Sequence, residues 1–163
     1  MLGTVDYELN TKEKTFFPAV NEGDLKTVRF LLARGVYINT TGDDNATALH
    51  LAALGEHVEG VILMVGSGAD IQASSDGGIA PLHIASALGN GERAKLLLDA
   101  GANTLPVTNH EVARKGHCAV LLLLLDRGVN IESVDKSSQI ALQVVALNGL
   151  DKAITVLCHR KAM

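Results

Sequence analysis

The side chains best equipped for chemistry in this sequence are its six histidines, its two cysteines and a scatter of aspartates. His50, His83 and His110 recur at one position of a repeating pattern, and Gln143 stands at the corresponding place further on. Two imidazole nitrogens bound to one zinc, each at about 2.1 Å, cannot lie much more than about 4 Å apart. Packed helices run about 8–10 Å apart. Histidines in successive repeats are therefore badly placed to share a metal, and a structural role is expected for them. The segment HEVAR at His110 begins like a zinc-protease HExxH, but Arg114 stands where the second ligand must be. Cys118 and Cys158 follow no metal or redox spacing, which points to a reducing, intracellular setting, cytoplasmic with the nucleus left open. GSGAD at Gly66 has paired glycines but no preceding strand, so it reads as a helix end and not a phosphate cradle. Asp43 and Asp44 are neighbours in sequence and Asp76 stands by itself, a pattern of solvated turn residues and not of an acid/base pair. The expectation is a chain that is not an enzyme, with no catalytic residue, metal or cofactor.

The bulk properties point the same way. Apolar residues make up 47% of the 163 positions, too many for a disordered chain, yet aromatics are only 3% and Trp is absent. Leu, Val, Ile and Ala suit thin, repetitive helix packing better than one aromatic-rich core. The net charge is −4 and no basic stripe alternates with aromatics, so no nucleic-acid footprint is expected. The longest apolar run, Ala119 to Leu125, falls far short of the roughly 20 residues that cross a bilayer. It reads as a buried helix, and the N-terminus lacks the pattern of a secretory signal.

Self-similarity carries most of the information. TALHLAALGEHVEGVILMVGSGADI from Thr47, APLHIASALGNGERAKLLLDAGAN from Ala80 and IALQVVALNGLDKAITVLCHR from Ile140 share one plan. An Ala-rich stretch reaches a break and an aliphatic stretch follows. Segments from Pro18 and His110 fit the same frame. The closing glycines Gly35, Gly68, Gly101 and Gly128 are spaced by 33, 33 and 27 residues. Leu49, Ala52 and Ala53 share one helix face, and Leu82, Ala85 and Ser86 repeat that spacing. Larger residues such as Leu96, Leu97 and Leu98 fill the second helix, and a glycine after it suits a left-handed cap. One such pair cannot bury both its faces, so the stack is the expected folding unit.

The period of 33 with TALHLAA (Thr47 to Ala53), APLHIAS (Ala80 to Ser86) and LLLDAGAN (Leu96 to Asn103) resembles the ankyrin repeat. The resemblance covers roughly Lys14 to Arg160 as about five repeats. It implies an all-α fold, a solenoid of stacked helix pairs with short β-hairpin fingers. The expected organisation is a tail or partial cap over 1–13, then an array over 14–163 with repeats at about 14–41, 42–74, 75–106, 107–133 and 134–163. The recurring His is expected to hydrogen-bond backbone in its own and the next repeat, and His57 and His117 are expected to be loop and capping residues. Pro18 is expected in the first turn of the first helix, where it is tolerated. Three departures stand out. Glu56 replaces the glycine of the inter-helix break, so Gly55 is expected to absorb that turn. Gly60 and Gly66 soften the helix that follows, at about 1 kcal/mol each relative to Ala. The six residues missing before Gly128 predict a truncated fourth finger over Thr104 to Asn109, which contains Pro106. The final repeat is apolar at Val144, Val145, Leu147 and Leu150, so the natural protein is expected either to be longer or to pair at that end.

The resemblance implies a protein–protein interaction module, an adaptor or scaffold, that meets its partner with finger tips and the first-helix face. Carried over by position, the tip residues are Asp43, Asp44, Ala46, Asp76, Gly77, Ile79, Lys136, Ser137 and Gln139. The groove residues are Asn21, Glu22, Leu54, Gly55, Ala87, Leu88, Arg114, Lys115, Leu147 and Asn148. Leu54 and Leu147 share one repeat position and Leu88 lies one residue over, while Arg114 and Lys115 interrupt the series with positive charge. This pattern predicts a partner segment with an apolar ridge and a local acidic patch, unless the leucines pack between neighbouring first helices. The alternative roles are a recognition segment of a larger multidomain protein, or the host-protein-binding domain of an intracellular effector. The partner is another protein, with no nucleic acid and no membrane; oligomeric state is not legible.

Overall fold

A computed structural model describes residues 14–55, 57–104 and 117–128. The described residues form three helix pairs joined by tight breaks, with loops between them, and a seventh helix. Helix α1 covers residues 14–21 and α2 covers Leu25–Ala33. They are followed by α3 (Ala48–Leu54) and α4 (Val58–Gly66), then α5 (Pro81–Ala87), α6 (Gly91–Asp99) and α7 (Cys118–Asp126). The chain divides into two compact units, one ending at Pro81 and the other beginning at Leu82. Each is described by itself.

In the first unit, small residues let the helices approach closely. Leu49, Ala52 and Ala53 of α3 are buried against α4, whose Val61, Leu63 and Met64 are also buried. Gly60 is buried too, and a methyl group there would lie 3.5 Å from Ala52 Cβ. The two softening glycines thus sit differently from the expectation. Gly60 is a close-packing residue in the first turn and Gly66 is the last residue of α4, so neither interrupts the middle of the helix. Second helices pack on one another: α2 touches α4 through the layer that buries Val28 and Leu31. Pro18 lies just past the first turn of the described helix, where its carbonyl accepts the Glu22 N–H at 2.9 Å. The second unit repeats the scheme. Leu82 and Ala85 of α5, Leu97 and Leu98 of α6, and Val120, Leu121 and Leu124 of α7 are buried, and α6 touches α7.

Each second helix among the described residues is followed by a glycine at positive φ: Gly35, Gly68, Gly101 and Gly128. After α4 the N–H groups of Ser67, Gly68 and Ala69 turn back to carbonyls of Leu63, Met64 and Val65. Gly68 takes φ +83, which closes a Schellman cap. This occupies the donors that a phosphate would need, so the glycine pair at Gly66 is a helix exit. The breaks between helices use the same device at Gly23 (φ +72) and Gly89 (φ +71). The second break does not. Gly55 has φ −59 and ψ 178, so it does not supply the left-handed turn expected of it.

The tail over 1–13, Glu56, the finger beyond Thr104, His110, and everything from Val129 onward lie outside the described residues. The expected shortened finger and the fifth repeat fall there.

Candidate binding surface

The finger tips are built first. In finger one Gly42 N–H donates to Ala46 O at 2.9 Å, and Thr41 and Thr47 form a single antiparallel bridge. In finger two Ser75 N–H donates to Ile79 O at 3.0 Å, the same loop one repeat later. Among the described residues the fingers are therefore hydrogen-bonded loops with one bridge and no extended ladder. The two tips reach their left-handed turns with different residues. Finger one places Asp44 (φ 57) and Asn45 (φ 56) there, and finger two uses Gly78 (φ +70). Asn and Asp tolerate this region better than other side chains. The tips are tied together: Asp76 N–H donates to Asp44 O at 2.9 Å, and Asn45 Nδ2 donates to Asp76 Oδ1. Further down, Asp70 N–H donates to Asn39 Oδ1 at 2.8 Å.

His50 fastens finger two to α3. Its ring is 2% exposed. Nδ1 accepts from Thr47 N–H at 3.1 Å and lies 2.8 Å from the Thr47 hydroxyl, closing a capping box at the start of α3. Nε2 donates to Ile79 O at 2.8 Å. This bonding requires the neutral ring, and burial pushes its pKa below the usual histidine value, with the Ile79 hydrogen bond opposing that shift. His50 thus bonds backbone in its own and the next repeat, as the resemblance implied for this position. His57 and His117 stand at the N-cap positions of α4 and α7 without capping those helices through their side chains. Each ring instead covers the break glycine of the preceding repeat. A methyl group on Gly23 would meet His57 Cδ2 at 2.3 Å, and one on Gly89 would meet His117 Nδ1 at 2.3 Å. His117 Nε2 also lies 3.1 Å from Ala87 O. Asp24 and Asn90, at the same place in the alternate repeats, do cap their helices, accepting from Thr27 and Arg93 N–H. The Thr27 hydrogen bonds, from hydroxyl and amide, hold the Asp24 carboxyl below its usual pKa.

The structure brings Asp43, Asp44, Ala46, Asp76, Gly77 and Ile79 together on two adjoining tips. Asp43, Asp44 and Asp76 are exposed, Ala46 is half-buried, and the 45%-exposed Ile79 folds over Gly77. Leu54 stands at the opposite end of α3 from the tips and is 52% exposed. Leu88, just past α5 in the second unit, is 50% exposed beside the half-buried Ala87. Asn21 and Glu22 are exposed and Gly55 is half-buried. Arg114, Lys115, Lys136, Ser137, Gln139, Leu147 and Asn148 lie outside the described residues.

Two features of the surface are not legible in the sequence. One is the role of Asn45 in tying the tips, signalled only by an Asn beside Asp44 in a turn. The other is an open groove of about 560 Å³ in the first unit, where α1, finger one and α3 meet. Phe17, Ala46 and Leu51 give it apolar surface, and Lys14 and Asp43 are its charged members. Gly42 lets the finger approach: a methyl group there would lie 3.4 Å from Phe17 Cε2. Among the described residues no cluster of three or more His, Cys, Asp or Glu could hold a metal ion, and no helix is long and apolar enough to cross a membrane.

Residues 16–106 match the family described as ankyrin repeats, in three copies. The chain belongs to the ankyrin-repeat family, and its all-α class follows. It is 39% identical over 89 residues to protein phosphatase 1 regulatory subunit 27 of Mus musculus, a match covering 54% of this chain and 58% of that protein. The chain thus spans little more than half of that relative's length. It is 26% identical to the ankyrin repeat protein nuc-2 of Neurospora crassa, across 98% of this chain but only 16% of nuc-2. It is 28% identical over 88 residues to the target of rapamycin complex 2 subunit AVO2 of Saccharomyces cerevisiae, covering 53% of this chain and 21% of AVO2.

Proposed function

We propose that this chain is a non-catalytic protein-interaction module, an adaptor or scaffold, that holds a partner polypeptide against its finger tips and the exposed ends of its first helices. The carrying observation is the half-exposed state of Leu54 and Leu88, at neighbouring positions of successive repeats. Large aliphatics left in water at the ends of first helices are surface that a partner can cover. Membership of the ankyrin-repeat family and similarity to proteins named as a phosphatase regulatory subunit and a complex subunit support a regulatory, binding role. A fourth repeat is part of this reading: α7 ends in the same glycine exit, with Gly128 at φ +79, and His117 covers Gly89 as His57 covers Gly23. A fifth repeat, and an acidic patch on the partner opposite Arg114 and Lys115, complete it. Two thiols without metal or redox spacing support a reducing, intracellular compartment for the module.

A second reading has its own support. Nearly all of this chain aligns with a sixth of nuc-2, so arrays of this kind occur inside much longer proteins. The module then acts as the recognition segment of a multidomain protein. Both readings are tested by replacing Leu54 and Leu88 with Ser and repeating affinity capture from the native cell. Loss of specific partners with the melting temperature retained is the expected result. An unchanged partner set with unchanged stability removes these leucines from the interface.

A further inference from the structure

The groove at α1, finger one and α3 carries a more specific statement about the partner, one that rests on the interaction-module reading above. Its apolar surface comes from Phe17, Ala46 and Leu51, all half-buried and none covered completely. Beside it stand three exposed carboxylates. Asp43 lines the groove, Asp44 follows it, and Asp76 is held to that tip by its bonds to Asp44 and Asn45. Among the described residues Lys14 is the one cation of the lining. An apolar recess edged by an excess of fixed negative charge selects by complementarity: it attracts cationic segments and repels acidic ones. The groove is open to solvent and converges few polar groups, unlike the enclosed sites that bury most of a small molecule. A second copy of the chain is a poor occupant, since each copy carries a net charge of −4.

We infer that this groove takes a basic–apolar segment of a partner polypeptide. A Leu-, Met- or Phe-type side chain enters against Phe17 and Leu51, and a Lys or Arg next to it reaches the Asp43, Asp44 and Asp76 carboxylates. The tie between the tips matters here because it holds Asp76 beside Asp44 before any partner arrives, so little ordering is needed on binding.

The carboxylates can be neutralised with little risk to the fold. Asn tolerates the left-handed backbone of Asp44, and at position 76 it keeps an acceptor for Asn45. The experiment selects short random peptides on the purified full chain. The selected peptides are then measured by fluorescence anisotropy against wild type, the Asp43→Asn/Asp44→Asn/Asp76→Asn triple variant, and Leu88→Ser. Selected peptides should pair an apolar residue with an adjacent Lys or Arg. Their binding should weaken about tenfold in the triple variant and fall with rising salt, with melting temperature retained. Changing the peptide's Lys or Arg to Ser should remove the difference between wild type and triple variant. Peptides without basic residues, or peptides that ignore the triple variant but are lost on Leu88→Ser, overturn the groove assignment and leave the interaction-module reading standing. Self-association abolished by the triple variant overturns it in favour of a second copy. Failure to select any peptide overturns the groove assignment, and the interaction-module reading falls only if the affinity capture also yields no partner.

Discussion

Helices α3 and α5 open with the same motif, TALH in one and APLH in the other, and are held at their starts by different chemistry. In α3 the Thr47 side chain and the His50 ring cap each other, and His50 continues to Ile79 O at 2.8 Å. In α5 Ala80 stands in place of Thr47 and has no hydroxyl to offer, while Pro81 stands in the first helical position with φ already near the helical value. The histidines follow suit: His50 is buried and His83 half-buried. The cores differ as well. Where α3 buries Ala53, α5 buries Ser86, whose hydroxyl is 1% exposed and has no hydrogen-bond partner. One repeat frame thus tolerates a start pinned by Thr47 and His50 or one with proline in the first helical position.

The largest expected effect breaks the pinned start. Replacing His50 with Ala removes the cap and the finger tether together, and should cost about 2–4 kcal/mol in urea unfolding. His83→Ala, at a half-buried ring with no threonine hydroxyl beside it, should cost less. Equal losses at the two sites would erase the comparison. Next, Thr47→Ala makes the start of α3 resemble that of α5 and should cost about 1–2 kcal/mol. The same network predicts a pH dependence. His50 binds its proton less readily folded than unfolded, so its contribution is complete above the ordinary histidine pKa of 6.5. Stability should then fall as pH drops through and below that value. His50→Gln, which cannot titrate, should flatten the slope; a stability curve of unchanged slope would assign the dependence to other groups.

Much of this difference was legible in the residues themselves. The core faces Leu49–Ala52–Ala53 and Leu82–Ala85–Ser86, the glycine exits and the structural role of the recurring His all follow from period and residue type. Tertiary proximity was not legible. Nothing in the spacing says that Asn45 reaches Asp76, that His57 covers Gly23, or that Gly60 exists to admit Ala52, because each depends on which surfaces meet. Gly55 misled for a related reason: a glycine permits a left-handed turn without requiring one.

Smaller effects sharpen the contrast. Ser86→Ala removes a buried unpaired hydroxyl and should stabilise by about 1 kcal/mol, read as a higher urea midpoint. A destabilised variant would mean the hydroxyl has a partner. The mildest difference is between α4 and α6. With Gly60 and Gly66 in its end turns, α4 should show faster amide exchange than α6. Equal or slower exchange would mean that the packing of Gly60 on Ala52 outweighs the backbone freedom of glycine.

The most direct test of the binding surface is photo-crosslinking in the native cell from single benzoylphenylalanine substitutions. Positions Leu54 and Leu88, at the ends of first helices, would be compared with Ile62 and Leu122 on second helices, all four of which are exposed. A surface at the first-helix ends predicts crosslinks to a partner polypeptide from Leu54 and Leu88 and none from Ile62 and Leu122. Crosslinks confined to Ile62 and Leu122 would place the interface on the second helices and contradict it.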